Sequence, residues 1–168
     1  MIIGIAAVSQ NNAIGKGGKL PWHYSADMKF FKETTTGHAV VMGRKTWLTL
    51  QKPLKNRLNI VLSRDLNIDP HESLVVLRDL QSVLSLGKRL TTDLFVIGGA
   101  QIYKEFIPYI ERWIITEVPL TVSDADAFMP EGYLAEFKRI ATRKLDADLR
   151  VVTYGRRAGT TSVSPARD

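Results

Sequence analysis

The chain has no cysteine, which excludes disulfides and thiolate metal sites and fits a reducing compartment such as the cytoplasm. No apolar run approaches the roughly 18 residues that a membrane-spanning helix needs. The start, Met1-Ile2-Ile3-Gly4, lacks the basic segment of a secretory leader, so a cytoplasmic protein is expected. Only three histidines occur, His23, His38 and His71, scattered and without an HExxH pattern; no metal site is expected. GxSxG is missing too, which leaves a serine hydrolase without support. There is no internal repeat and no long linker.

What is present suits one globular domain. The 168 residues are 45% hydrophobic and 24% charged, enough for a single substantial core. The domain is expected over residues 1–157, followed by a mobile basic tail, 158–168. Lysine and arginine total 23 against 17 acids, a net charge of +6, with several of the cations falling between Arg156 and Asp168. Such a balance suits nucleic acid, an acidic membrane surface or an anionic small molecule. The surplus forms no block of five or six like charges and no stripe of aromatics interleaved with cations. Nucleic acid and membrane are therefore not expected as partners, although a basic nucleic-acid-binding module stays open as the alternative of a different class.

Short β-branched runs alternate with helical patterns, the sign of an α/β fold. Strands are predicted at 2–8, 39–42, 59–62, 74–77, 94–97 and 113–118, with an antiparallel hairpin from 138–143 and 149–154. The first run is apolar at nearly every position, as in a central parallel strand covered on both faces. Helices are predicted at 26–35, 44–50, 80–86 and 100–106, with Ser25 capping the first and Pro108 marking the end of the last. The expected architecture is a twisted, mostly parallel sheet of about eight strands with helices on both faces.

Three predicted strands end in the same kind of chemistry: Gly43-Arg44-Lys45-Thr46, Ser63-Arg64 and Gly98-Gly99-Ala100-Gln101. Ligands of open α/β sheets bind at the carboxyl ends of parallel strands. Glycines, hydroxyls, cations and helix starts gathered there make a receptor for phosphate groups. The common nucleotide motifs are nonetheless absent. Gly15-Lys16-Gly17-Gly18-Lys19-Leu20 has Leu20 where GxGxxG needs glycine, and no Ser or Thr follows Lys19 as a P-loop requires.

The most specific segment is Leu20-Pro21-Trp22-His23-Tyr24-Ser25-Ala26-Asp27-Met28-Lys29-Phe30-Phe31-Lys32. Asp27 falls in a first helical turn and Phe31 lies on the same helix face. A carboxylate beside a flat ring suits a planar, nitrogen-rich heterocycle. Taken on the helix alone, the plainer account is the stronger: an acid favoured by the helix dipole, with Phe31 in the core.

The motifs taken together say more. Ile5-Ala6-Ala7, Ile14-Gly15, Leu20-Pro21-Trp22, Asp27 with Phe31-Lys32, Met42-Gly43-Arg44-Lys45-Thr46-Trp47, Pro53-Leu54 with Arg57, Leu62-Ser63-Arg64, Ile97-Gly98-Gly99-Ala100-Gln101-Ile102-Tyr103 and Thr116 occur in this order. In them the chain resembles the dihydrofolate reductase family from about Met1 to about Tyr154, and the aspartate at position 27 resembles its bacterial branch.

The resemblance implies NADPH-dependent reduction of dihydrofolate to tetrahydrofolate, with hydride delivered to C6 and a proton to N5. It implies that Asp27 binds the 2-amino and N3 side of the pterin with support from Thr116. Ile5, Met28, Phe31, Leu50, Leu54 and Ile97 would line the substrate. Arg57 would take its α-carboxylate, with Lys32 and Lys52 along the outer path of the tail. The loop Ala13, Ile14, Gly15, Lys16, Gly17, Gly18, Lys19 and Leu20 would close over the nicotinamide, which Ala7 and Ile14 touch. Gly98-Gly99, joined by a cis peptide in the family, and Ala100, Gln101 and Ile102 would hold the pyrophosphate, with Gly43, Lys45 and Thr46 in the same cofactor group. Arg44, Ser63 and Arg64, beside Leu62, would surround the 2′-phosphate, and Arg78 would lie against the adenine. Trp22 would order water near Asp27, and Tyr103 would reach the nicotinamide region.

By the resemblance Asp27 lies away from N5, so its expected role is indirect, favouring protonation that a water delivers. Burial would raise its pKa and the helix start would lower it. Antifolate-type inhibitors are the other ligands implied, and a monomer is expected. A related NADPH-dependent reductase of pterin or pyrimidine precursors is the alternative within the fold. The sequence departs from the family where Lys55-Asn56 replaces Pro-Gly, Met28 a leucine, Leu20 a methionine and Ala100 a third glycine. These changes bear on inhibitor fit and loop motion.

Overall fold

The computed structural model describes residues 1–160. In chain order the elements are β1 (Ile2–Ser9), β2 (Ala13–Gly15), α1 (Ser25–Thr35), β3 (Ala39–Gly43), α2 (Arg44–Leu50), β4 (Leu58–Leu62), β5 (Leu74–Leu77), α3 (Leu80–Arg89), β6 (Leu94–Val96), α4 (Ala100–Phe106), β7 (Arg112–Val118), β8 (Ala127–Phe128), β9 (Phe137–Lys144) and β10 (Arg150–Arg156). Eight strands form one sheet in the order β5-β4-β3-β6-β1-β7-β10-β9. Neighbours from β5 across to β7 are parallel, and β10 and β9 add antiparallel.

The sheet is covered on both faces because its central strands are apolar at successive positions. Val40, Met42, Val61 and Phe95 point to one side, against Phe30 and Phe31 of α1 and Trp47 and Leu50 of α2. Val41, Ile60, Leu62 and Val96 point to the other, against Val83 and Leu84 of α3 and Ile102 and Phe106 of α4. Gly4 is fixed by what lies over it: a Cβ there would sit 2.3 Å from the Trp113 ring.

The predicted elements are all present, with shifted ends. Ser25 does not cap α1. Tyr24 is the N-cap, without a side-chain bond, and Ser25 is already helical. The strand predicted at 94–97 stops at Val96. The helix predicted at 80–86 runs on to Arg89, and its N-cap, Asp79, accepts from the Ser82 N–H at 2.7 Å. After α4 a 3-10 turn, Ile107–Tyr109, takes in Pro108 instead of stopping at it. A second, two-stranded sheet of β2 and β8 was not anticipated.

Arg156, near the end of the expected domain, is bound into the fold. It closes β10, donates to the Ile107 and Ile110 carbonyls, pairs with Glu136, and lies 4.7 Å from the centroid of the Phe137 ring. Of the expected tail, residues 158–160 form a turn closed from Thr160 onto the Arg157 carbonyl. The remainder, 161–168, lies outside the described residues.

Candidate active site

Parallel pairing brings the carboxyl ends of β1, β3, β4, β5 and β6 to one edge of the sheet. A cleft of about 740 Å³ opens there, walled by Ile5, Ala6 and Ala7 of β1, Asp27, Met28, Phe30 and Phe31 of α1, and Lys45, Thr46, Thr49 and Leu50 of α2. Ile14, Gly15, Gly18, Lys19, Leu20, Trp22, His23 and Tyr24 close one side, and Leu54, Ile97, Gly98, Gly99, Tyr103, Thr116 and Ala127 complete it.

Asp27 is the acid of this cleft and is only 9% exposed. Its position follows from register: Thr116 on β7 lies opposite Ala7 on β1 and hydrogen-bonds the Asp27 side chain. Burial raises the Asp27 pKa above its ordinary value, and the Thr116 bond opposes that rise. Trp22 Nε1, buried on the same wall, has no hydrogen-bond partner among the described residues. A carboxylate acceptor and an indole donor therefore face one apolar chamber.

The opposite wall is backbone. Gly98 and Gly99 are joined by a cis peptide. At Gly98 a Cβ would meet the Tyr103 ring at 3.2 Å, whereas at Gly99 it would find only Thr46 Oγ1, at 3.8 Å. The Tyr103 hydroxyl donates to the Ile5 carbonyl at 2.8 Å, tying α4 to β1; burial and the nearby Tyr133 raise its pKa. The Gly98 carbonyl accepts from the Gly43 N–H at 2.9 Å. Both α2 and α4 start behind glycines, Gly43 and Gly99, without side-chain caps, so their first N–H groups have no helical partner.

The loop that carries Ile14, Gly15, Gly18, Lys19 and Leu20 lines the mouth. Lys16 and Lys19 pair as a tight turn whose central residues, Gly17 and Gly18, have φ of 56° and 77°, angles that favour glycine. The turn is clasped from outside: the Gly17 N–H donates to Asp126 Oδ2 at 2.8 Å, and Lys16 pairs with Asp124.

The sequence profile of a family described as dihydrofolate reductase matches residues 1–155. The chain belongs to the dihydrofolate reductase family. It is 43% identical over 128 residues to the dihydrofolate reductase of Neisseria gonorrhoeae, covering 76% of this chain and 77% of that protein. To the enzyme of Bacillus subtilis it is 35% identical over 144 residues, 86% of this chain and 84% of the relative. Its fold superposes on a dihydrofolate reductase from Enterococcus faecalis complexed with NADP(H) and RAB-propyl, with a TM-score of 0.84, 31% identity, and coverage of 93% and 96% of the two chains.

Among dihydrofolate reductase positions expected from the sequence, Ile5, Trp22, Asp27, Met28, Phe31, Leu50, Leu54, Ile97, Tyr103 and Thr116 come together around the cleft. So do Ala7, Ile14, Gly15, Gly18, Lys19, Leu20, Lys45, Thr46, Gly98 and Gly99. Arg57 lies outside it, only 8% exposed, donating from Nε to the Lys55 carbonyl at 2.9 Å and from Nη1 to Thr35 Oγ1 at 3.0 Å. It has no carboxylate partner among the described residues, and burial lowers its pKa. Lys32 is exposed. Lys52 lines a second cleft of about 440 Å³ behind α2, with Arg44 and Trp47.

Arg44, Ser63, Arg64 and Arg78 follow the ends of β3, β4 and β5. Leu62, Gly43 and Ile102 are buried, and a Cβ on Gly43 would meet Ile102 Cγ1 at 2.9 Å. Ala13 is buried in β2, Lys16 and Gly17 face outward, and Ala100 and Gln101 begin α4. Six lining residues went unassigned: Ala6, His23, Tyr24, Phe30, Thr49 and Ala127. The α2 face of Lys45 pointed to Thr49 one turn on, whereas nothing local points to Ala127.

The residues fit a phosphorylated dinucleotide. Open backbone at Gly99, two uncapped helix starts and a row of cations at the strand ends are the donor set a pyrophosphate and a further phosphate need.

Proposed function

We propose that this protein reduces dihydrofolate to tetrahydrofolate with NADPH, in the cleft between α1 and the Gly98-Gly99 turn. The carrying observation is the buried, hydrogen-bonded Asp27 carboxylate in a mainly apolar chamber. The reduced nicotinamide supplies the hydride for C6. Gly98, Gly99 and the helix start at Ala100, Gln101 and Ile102 would hold the pyrophosphate, with Gly43, Lys45 and Thr46 in the same group; Arg44, Ser63 and Arg64 would receive the 2′-phosphate, and Arg78 the adenine. The lid from Ala13 to Leu20, with Ile14 and Ala7, excludes water from the nicotinamide face.

Asp27 and Thr116 orient the pterin by its 2-amino and N3 edge. Ile5, Met28, Phe31, Leu50, Leu54 and Ile97 hold its rings flat, and Tyr103 backs the reacting end. Arg57 takes the α-carboxylate, for which its unpaired, buried guanidinium is suited, while Lys32 and Lys52 flank the outer tail. The Asp27 charge raises the proton affinity of the bound pterin, Trp22 Nε1 orders water near Asp27, and a water delivers the proton to N5. Burial strengthens that electrostatic effect.

The protein works as a monomer in the cytoplasm, with antifolates as competing ligands and no nucleic acid as partner. No described helix is long and apolar enough to cross a membrane. The test is NADPH oxidation with dihydrofolate as acceptor and tetrahydrofolate identified as product. Turnover is expected, and folded protein that binds both ligands without it would overturn the proposal. The related pterin- or pyrimidine-precursor reductase is less well supported, because Asp27, Phe31 and Arg57 are all present.

A further inference from the structure

An acid stands among the cations at the strand ends. Asp65 follows Ser63-Arg64 after β4, and its Oδ2 lies 3.0 Å from Nη2 of Arg44. The carboxylate is held from its other side as well, since Oδ1 accepts from the Asn67 N–H at 2.9 Å. The backbone is pinned by Ser63, whose Oγ donates to the Asp65 carbonyl at 2.7 Å and faces the Asp65 N–H at 3.2 Å. Arg44 and Asp65 are both part-exposed. Among the described residues Arg64 and Arg78 have no carboxylate partner. The arginine at the end of β3 thus already has an anion beside it, and the Ser63 hydroxyl already has an acceptor.

We propose that Asp65 is a specificity-determining residue: it competes with the cofactor's 2′-phosphate for Arg44 and thereby limits the preference for NADPH over NADH. This rests on the reading that Arg44, Ser63 and Arg64 receive that phosphate. A phosphate monoester brings nearly two negative charges near neutral pH. To engage Arg44 it must loosen the Asp65 contact or accept a fixed carboxylate next to the same guanidinium. Because Asn67 and Ser63 hold Asp65, it does not swing clear at no cost. NADH brings no such charge and leaves the pair intact. The site is part-exposed, so water and salt screen the effect to a modest size.

Asp65→Asn keeps the shape and the acceptor for the Asn67 N–H while removing the charge. Dissociation constants of NADPH, NADH and 2′,5′-ADP are measured by quenching of tryptophan fluorescence in wild type, Asp65→Asn, Arg44→Gln and the double variant. Asp65→Asn is expected to tighten NADPH and 2′,5′-ADP by about three- to tenfold and to leave NADH within about twofold, with the gain shrinking at high salt. It should also shrink in the Arg44→Gln background, because the competition runs through that residue. Unchanged or weaker NADPH binding by folded Asp65→Asn overturns the proposal, the weaker result marking Asp65 as a simple support for Arg44. A full gain in the Arg44→Gln background overturns it as well. If Arg44→Gln leaves NADPH binding intact, the 2′-phosphate reading itself has failed, which is a separate outcome.

Discussion

Asp27 is ionisable and only 9% exposed, with Thr116 as its side-chain partner. Burial raises its folded-state pKa above the ordinary 3.8, so the fold binds this proton more readily than the unfolded chain does. The ionised form therefore lowers stability at neutral pH, and the penalty fades as pH falls through the folded pKa. Asp27→Asn, which carries no charge, should be more stable than wild type to urea at neutral pH, and the gap should narrow in acid. A variant less stable at neutral pH would mean that the carboxylate supports the fold. Arg57 makes the reverse case of a buried cation awaiting an anion. Lysine cannot reproduce the two tethers to Lys55 and Thr35. Arg57→Lys should raise the dihydrofolate KM by about tenfold or more while the hydride step changes little; steady-state and single-turnover kinetics separate the two, and an unchanged KM removes Arg57 from the site. The candidate residues near one another in sequence were legible there. The Asp27–Thr116 contact was not legible from the helix pattern, because it is made by sheet register across 89 positions.

Elements were read well where a period had room to show. The apolar runs of β1, β3 and β4 and the start of α3 fall where expected, whereas β2 and β8, with three and two residues, are too short to carry a period. They are made by long-range pairing, and that pairing places the loop proposed as a lid. Asp126→Ala removes the acceptor for the Gly17 N–H. Loss of such a bond costs about 0.5–1.5 kcal/mol, which predicts NADPH binding weaker by up to about tenfold with global stability little changed. A fluorescence titration checks this, and unaltered binding would mean that the clasp does not hold the lid. Cap residues were read less well. The hydroxyl predicted to cap α1 is inside the helix, while Asp79 caps α3 and has its pKa lowered by Ser82. Asp79→Ala should therefore destabilise at neutral pH and converge on wild type as pH falls through the folded pKa. On β1, Gly4→Ala would drive a methyl into the Trp113 ring and should cost about 1–3 kcal/mol in urea unfolding; a neutral result would show that the ring moves freely.

At the scale of the whole molecule, the sheet does the assembling. Four parallel pairings set the carboxyl ends of β1, β3, β4, β5 and β6 in line, and residues spread from Ile5 to Ala127 meet in one chamber. The fold class and the family were legible because alternating strand and helix patterns and motif order survive in the linear sequence. The clasp of Asp124 and Asp126 on the Lys16–Lys19 turn and the place of Ala127 were not, because they depend on which loops the finished sheet brings together. Turnover is proposed for that assembled chamber, with Asp27 as the charged group that promotes protonation within it. The most direct measurement is the pH dependence of dihydrofolate reduction by wild type and Asp27→Asn. Wild-type activity should level off below the apparent pKa of the occupied site. The variant should fall by several orders of magnitude at neutral pH while remaining folded, then recover roughly tenfold per unit as pH drops, because substrate must arrive already protonated. Near-normal neutral activity in a folded Asp27→Asn variant would contradict the account.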